Sequence, residues 1–286
     1  MPFREAFECL WCGRAWTVRS PDDLEGFAQL CPDCLGKAGE NEFLRFRLRA
    51  ALEERAGTRQ ASVSDDLIAY YEARAPEYDD WYLRRGRYDR GPIDNMSWEA
   101  DLDAAGLWLD ALPIRGEIVE LAAGTGWWSP LLAGKGELSA YDAVPSTLDR
   151  ARDRLLAHGL RAHIHVRDAW AEPDREVDAL FFGFWLSHVP RERLSEFLGL
   201  ARRWLRPGGL LAFVDSLPDP ASGATDNPPP AHDLATRRLN DGREFTIPKI
   251  YYGAAELEAS LGLAGFGDVE VRGTPRFFLL GRATAR

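Results

Sequence analysis

Val119-Glu120-Leu121-Ala122-Ala123-Gly124-Thr125-Gly126 reads as a β-strand running into a glycine turn. Ile118 to Leu121 is a short apolar run of the kind that forms a buried strand. Gly124 and Gly126 let the backbone turn tightly and approach a ligand that a Cβ would keep away. Trp127 to Ala133 reads as the start of a helix, whose first N–H groups would point into the cleft. About twenty residues further on, Ala140-Tyr141-Asp142 ends a second strand with a carboxylate placed for ribose hydroxyls. Together these predict that an adenosine-containing ligand binds in the middle of the chain.

A dinucleotide fingerprint needs a third small residue at the close helix–strand contact. That position is Ser129, behind Trp127 and Trp128, whose bulk would crowd a pyrophosphate. No Gly-Lys-Ser/Thr follows the turn, which excludes a Walker loop. The order acidic residue, x, small, x, Gly, x, Gly instead resembles the first motif of the class I S-adenosylmethionine (SAM) methyltransferases. Asp142-Ala143 resembles the acidic loop of that family, and Val166-Arg167-Asp168-Ala169-Trp170 its adenine loop. Val177 to Phe182 looks like its fourth strand. Leu205 to Val214, with Pro207-Gly208-Gly209, looks like its helix end, turn and fifth strand. Tyr70 to Asp79 resembles the helix that closes over the cofactor.

The resemblance spans roughly residues 65 to 285 and implies an α/β architecture. The expected fold is a Rossmann-like, seven-stranded, mostly parallel sheet that ends in an antiparallel hairpin of Val269–Val271 and Phe277–Gly281. It also implies roles. Glu120, Ala122, Gly124 and Gly126 would cradle the methionine portion of SAM, and Asp142 would hold the ribose. Asp168 would take the adenine amine, with Ala143, Ala169 and Trp170 around the ring. Tyr71, Tyr78 and Phe184 would surround the sulfonium end. Ala122 departs from the glycine common at its position, and we expect a slightly tighter cofactor approach there.

All four cysteines fall in the first 34 residues, as Cys9-Leu10-Trp11-Cys12 and Cys31-Pro32-Asp33-Cys34. This spacing fits the two-knuckle zinc pattern, in which each turn presents two thiolates. A disulfide is the alternative, but no secretion signal accompanies it. No histidine precedes His158, so an all-cysteine, closed and therefore structural site is expected. The chain is thus read as a zinc-ribbon-like module over 1–40, a connecting helix and linker over 41–64, and a methyltransferase domain over 65–286.

The formal charge of −10 disfavours nucleic acid as a partner. Residues 1–60 hold nine basic and ten acidic side chains, a net of −1. No run of eighteen apolar residues appears and the N-terminus carries Arg4 and Glu5, which argues against a membrane span or signal peptide and for the cytoplasm. Asn41 to Arg55 has helical apolar spacing; Arg45, Arg47 and Arg49 could form its solvated side or track RNA.

Methyl transfer from a sulfonium needs alignment and exclusion of water, with a base only where the acceptor must lose a proton. His188, in Gly183-Phe184-Trp185-Leu186-Ser187-His188, is the base candidate, with helix packing as its other reading. Arg87, Arg243, Lys249 and Tyr251 are candidates for binding an anionic acceptor. Leu234 to Tyr252 is expected to be partly helical, and Ala255 to Leu263 helical. Three functions remain open: a small-molecule methyltransferase, an RNA methyltransferase docking through the zinc module, and a non-catalytic SAM-binding partner protein.

Overall fold

The computed structural model describes residues 4–9, 12–18, 26, 29–38, 65–228, 230 and 233–286. The chain divides into two compact units, Met1–Asp65 and Asp66–Arg286. In the first, β1 (Ala6–Glu8) and β2 (Ala15–Thr17) pair antiparallel, and α1 (Pro32–Ala38) follows. Phe7, Val18 and Leu30 form a small core with Cys9, Cys31 and Cys34. The helix expected over Asn41–Arg55, with Arg45, Arg47 and Arg49, and the linker after it lie outside the described residues.

The second unit is built on a seven-stranded sheet of order β10-β11-β7-β6-β3-β4-β5. Its parallel part comprises β3 (Glu117–Leu121), β4 (Glu137–Asp142), β5 (His163–Val166), β6 (Val177–Gly183) and β7 (Leu205–Ser216). The strands β10 (Phe266–Gly273) and β11 (Phe278–Ala285) pair antiparallel, and β11 inserts between β10 and β7. The expected sheet and hairpin are therefore present, with longer hairpin strands than the sequence suggested.

Period-two alternation divides the strands between two cores. Leu180, Phe182, Leu211 and Phe213 face one cluster, while Ala179, Phe181, Ala212 and Val214 face the other. The first is covered by α6 (Leu194–Arg203) and α7 (Ala254–Leu263) through Phe197, Leu257 and Leu261. The second is covered by α3 (Pro92–Ala111) through Trp98 and Leu109 and by α4 (Ser129–Ala133) through Leu132. Each such large side chain contributes about 1.5–3 kcal/mol of burial. Asp101 of α3 is itself buried and accepts from Thr274 Oγ1 and from the backbone N–H groups of Arg276 and Phe277 at 2.7–2.9 Å. It thereby ties the β10–β11 turn to the helix layer.

Two local expectations are corrected. The segment Leu234 to Tyr252 is no helix: β8 (Leu234–Arg238) and β9 (Glu244–Pro248) form an antiparallel hairpin. Thr236, Phe245, Thr246 and Ile247 suit a pleated surface, and Gly242 turns the chain at φ +88°. The helix after the glycine turn begins at Ser129 with Pro130 in its first turn, two residues later than Trp127.

Candidate functional site

The carboxyl ends of β3, β4, β6 and β7 converge beside the crossover between β3 and β6, the place where open α/β sheets bind ligands. At the end of β3 the chain enters the glycine turn with Gly124 at φ +55° and Gly126 at φ +72°. A Cβ on Gly126 would stand 2.7 Å from Ala151 Cβ, on α5 (Pro145–Ala157), so this position admits only glycine. Ala122 also adopts a left-handed φ of +50°. The departure from glycine there costs backbone strain of about 1–2 kcal/mol; the sequence had suggested only a steric difference.

Asp142, at the end of β4, accepts from the N–H of Gly124 and of Val144, both at 2.8 Å. Its carboxyl joins the glycine turn to the first turn of α5. Burial pushes its pKa up to about 6, against the hydrogen bonds that lower it. Glu120 is fully buried below the turn and accepts from Ser129 Oγ; burial pushes it up to about 8, so it is largely protonated at neutral pH. In the loop after β5, Asp168 accepts from the Trp170 N–H at 2.8 Å, and Ala169 is buried. The Trp170 ring lies under the Arg193 guanidinium at 3.6 Å and against Phe197. Ala143 sits between Asp142 and the start of α5.

A cap covers this turn. Helix α2 (residues 65–74) gives way at Pro76 to a tighter helical turn, Ala75–Asp80. Asp79 accepts from Thr125 Oγ1 at 2.6 Å and pairs with Arg154, which also donates to the Thr125 carbonyl. Tyr82 stacks on Trp127 with centroids 4.1 Å apart and planes 2° from parallel. The Tyr78 hydroxyl lies against Gly124. Trp127, which argued against a pyrophosphate, is therefore the seat of the cap.

Next to the cap lies a small pocket with a cavity volume of about 60 Å³. Tyr70, Tyr71, Tyr78 and Tyr88 line it together with Phe184 and Trp81, and Arg74, Arg237 and Lys249 supply three cations. No aspartate or glutamate is among the described lining residues. Arg74 is buried, 4.6 Å from the Tyr78 ring centroid, and its Nε has no hydrogen-bond partner among the described residues. Lys249 donates to Ser187 Oγ and Ser216 Oγ at 2.9 Å each. Burial pushes Lys249 down to about 8, with Asp215 opposing.

His188 is buried between these groups. Its Nδ1 faces the Pro248 carbonyl at 2.7 Å and its Nε2 the Tyr71 hydroxyl at 2.7 Å. A carbonyl only accepts, so Nδ1 carries the hydrogen, and Nε2 accepts from Tyr71. Burial, and then the Lys249 charge, push the imidazole down to about 3. It is neutral throughout the ordinary pH range.

Residues 118–209 match a protein family described as a methyltransferase domain. A solved complex of DhpI with SAH is 31% identical to this chain, with a TM-score of 0.60, and the match covers 77% of this chain and 96% of that one. A DhpI–SAM–HEP complex gives 30%, 0.61, 77% and 97%. The chain belongs to the class I SAM-dependent methyltransferases. A 1,6-didemethyltoxoflavin-N1-methyltransferase from Burkholderia thailandensis, 14% identical with a TM-score of 0.51, shares the fold, with 79% of this chain and 89% of that one covered. Among curated proteins no sequence matches.

Of the acceptor candidates in this methyltransferase, Lys249 lines the pocket and Tyr251 lies behind it, its ring centroid 5.4 Å from Lys249 Nζ. Arg243 is exposed and paired with Asp241. Arg87 is outside the lining and engaged by Asp226 and the Arg238 carbonyl. Arg74 and Arg237 were missed. Among thirty-two arginines, nothing local distinguishes them until the fold brings them together.

The first unit holds the other cluster. The Sγ atoms of Cys9, Cys12, Cys31 and Cys34 all lie within 4.8 Å of one another, and none is in a disulfide. Cys12 and Cys31 Sγ are 3.7 Å apart, close to the S···S edge of a tetrahedron with Zn–S of about 2.3 Å. Gly13 N–H donates to the Cys9 carbonyl and Cys31 N–H to Cys9 Sγ, which turns the first knuckle toward the second. No helix among the described residues is long and apolar enough to cross a membrane.

Proposed function

We propose that this methyltransferase moves the methyl group of SAM to an oxygen of a small anionic acceptor. One observation carries the reading: Arg74, Arg237 and Lys249 line a pocket beside the cofactor turn, and no carboxylate is among its described lining residues. Three partly desolvated cations on one pocket, with Asp215 acting on Lys249 from outside the lining, favour an anionic ligand, and hydrogen bonds to charged groups contribute about 1.5–3 kcal/mol each. DhpI has been solved with SAM and HEP in one complex, so that relative binds a second ligand together with SAM.

In this reading Asp142 accepts from the ribose hydroxyls and Asp168 from the adenine amine, with Ala143, Ala169 and Trp170 around the ring. The turn from Ala122 to Gly126, over Glu120, receives the methionine portion, and Tyr71, Tyr78 and Phe184 close the sulfonium end. The SAM sulfonium is the electrophile. An acceptor oxygen in line with the S–CH3 bond supplies the electron pair of the new O–CH3 bond as the old pair passes to sulfur. Positive and negative charge annihilate in a site screened by tyrosines, so the step loses no solvation to water.

His188 enters in a changed role. An oxyanion needs no base, and an imidazole held near 3 beside Lys249 takes up a proton poorly. It holds the Tyr71 hydroxyl and turns the phenol oxygen toward the pocket. The fused unit around Cys9, Cys12, Cys31 and Cys34 is assigned one structural zinc, which would supply much of its folding energy. The arginines on which RNA docking would rest, Arg45, Arg47 and Arg49, fall outside the described residues, so no geometry favours that reading.

The test is transfer of methyl label from SAM into fractionated extract. Label on a small acid whose negative charge falls by one supports the proposal. Label on RNA, or on an uncharged molecule, overturns it. SAM binding without any transfer points to a non-catalytic partner protein.

A further inference from the structure

Three of the four arginines within seven residues of the cap, those at 84, 87 and 90, share one task. None points at the pocket lining; all three hold the segment that forms its far wall. Arg84 is buried and donates to the carbonyls of Ala221 (2.6 Å) and Ser222 (3.3 Å), and Trp81 Nε1 adds a bond to the Ser222 carbonyl at 2.7 Å. Arg90 donates to the carbonyls of Pro220, Gly223 and Ala224 at 2.9–3.1 Å. Arg87 forks between Asp226, Asn227 Oδ1 and the carbonyl of Arg238, and its own carbonyl accepts from Thr225 N–H.

The held segment is short of regular structure, with Pro220 and Gly223 in it, so its carbonyls have no strand partner and the guanidinium forks serve in place of one. It carries Ser222, Gly223 and Asn227 into the pocket. Through the Arg238 carbonyl the same grip extends to β8, whose neighbouring Arg237 is one of the three pocket cations. The opposite side of this cap is the one that seats on Thr125, Arg154 and Trp127.

We propose that Arg84, Arg87 and Arg90 are positioning residues that build the acceptor wall: they set where loop 220–227 and Arg237 stand, and so which acceptor fits. The proposal rests on the oxyanion reading only for the identity of what the wall holds. Arg87 is the central member, because of the three arginines it is the one that reaches both loop and hairpin, where Arg238 N–H also donates to Asn227 Oδ1.

The experiment uses the full chain with SAH bound and inorganic phosphate as the anion probe. Three quantities are measured: hydrogen exchange over 220–238, phosphate affinity and SAH affinity. Arg87→Ala is expected to speed exchange at least tenfold and weaken phosphate at least tenfold, with SAH affinity within twofold of wild type. Arg87→Lys, which keeps the charge and loses the fork, should recover part of the phosphate affinity and little of the exchange protection. Asp226→Asn, made on the exposed partner, should repeat the exchange effect if Arg87→Ala folds poorly. Wild-type exchange in both Arg87→Ala and Asp226→Asn overturns the proposal, and so does an equal loss of SAH and phosphate affinity. If wild type binds no phosphate while the variants still loosen 220–238, the oxyanion reading falls and the positioning role stands.

Discussion

The proposed cofactor half and the proposed acceptor half of this site are built on opposite plans. The first is a backbone device: a strand, a turn with Gly124 and Gly126 at positive φ, and a carboxylate 18 residues later bonded to the turn. The second is assembled from side chains of α2, β8, the end of β9 and the loop after β7, and it owes its character to the charges that meet there. A backbone device tolerates change only where a Cβ can fit. A side-chain assembly can change its ligand by changing one residue, provided its walls stay in place.

The comparison can be broken or sharpened by variants that strike one half, both or neither. The largest effect is expected from Asp101→Ala, which strands three donors at the β10–β11 turn. We expect a loss of about 3 kcal/mol in unfolding free energy by denaturant titration, both halves failing together. Arg237→Met should cut kcat/KM for the acceptor about a hundredfold (about 2.7 kcal/mol) and leave SAH affinity by calorimetry within twofold. An equal fall in both would erase the division.

Asp142→Ala should do the reverse, weakening SAM about tenfold (about 1.4 kcal/mol). The same carboxyl gains its proton as pH falls through about 6, so wild-type SAM affinity should decline below that pH and the variant's should not. Lys249 loses its proton as pH rises through about 8, so the KM for an anionic acceptor should climb above that pH while SAM affinity holds. A Lys249→Met variant with the same rise would remove Lys249 from the explanation. The smallest effect on either half belongs to chelation. It should release about one zinc per chain, seen by native mass, and leave SAM affinity unchanged.

The two plans also explain what could be read in advance. Glycines at fixed spacing after an apolar strand, and Asp142 at the end of the next, are local facts, so the cofactor half and the sheet around it were legible. Of the cations in the acceptor half, Lys249 alone was named from the sequence, beside the lining residues Tyr71, Tyr78, Phe184 and His188. Arg74 and Arg237 are 163 residues apart and acquire meaning only when α2 and β8 meet. The hairpin that carries Arg237 was hidden as well. Leu234, Ala235, Arg237, Arg238 and Leu239 are individually good helix formers, and cross-strand pairing with Phe245 to Pro248 overrides them. Arg87 was noticed for its charge, but its distant partners Asp226 and Arg238 decide its use.

The position of β11 between β10 and β7 has a consequence for biosynthesis. The ribosome releases β10 before the strand that is its only neighbour in the sheet. Until β11 emerges and slots against β7, the backbone edge of β10 is unpaired, although Phe266 and Val271 already share a core with Leu257 and Leu261 of α7. The nascent chain therefore passes through an interval in which the parallel strands are complete and the sheet is open along β7. Chaperone demand during translation should peak in that interval and end when Phe278 to Ala285 are free of the exit tunnel.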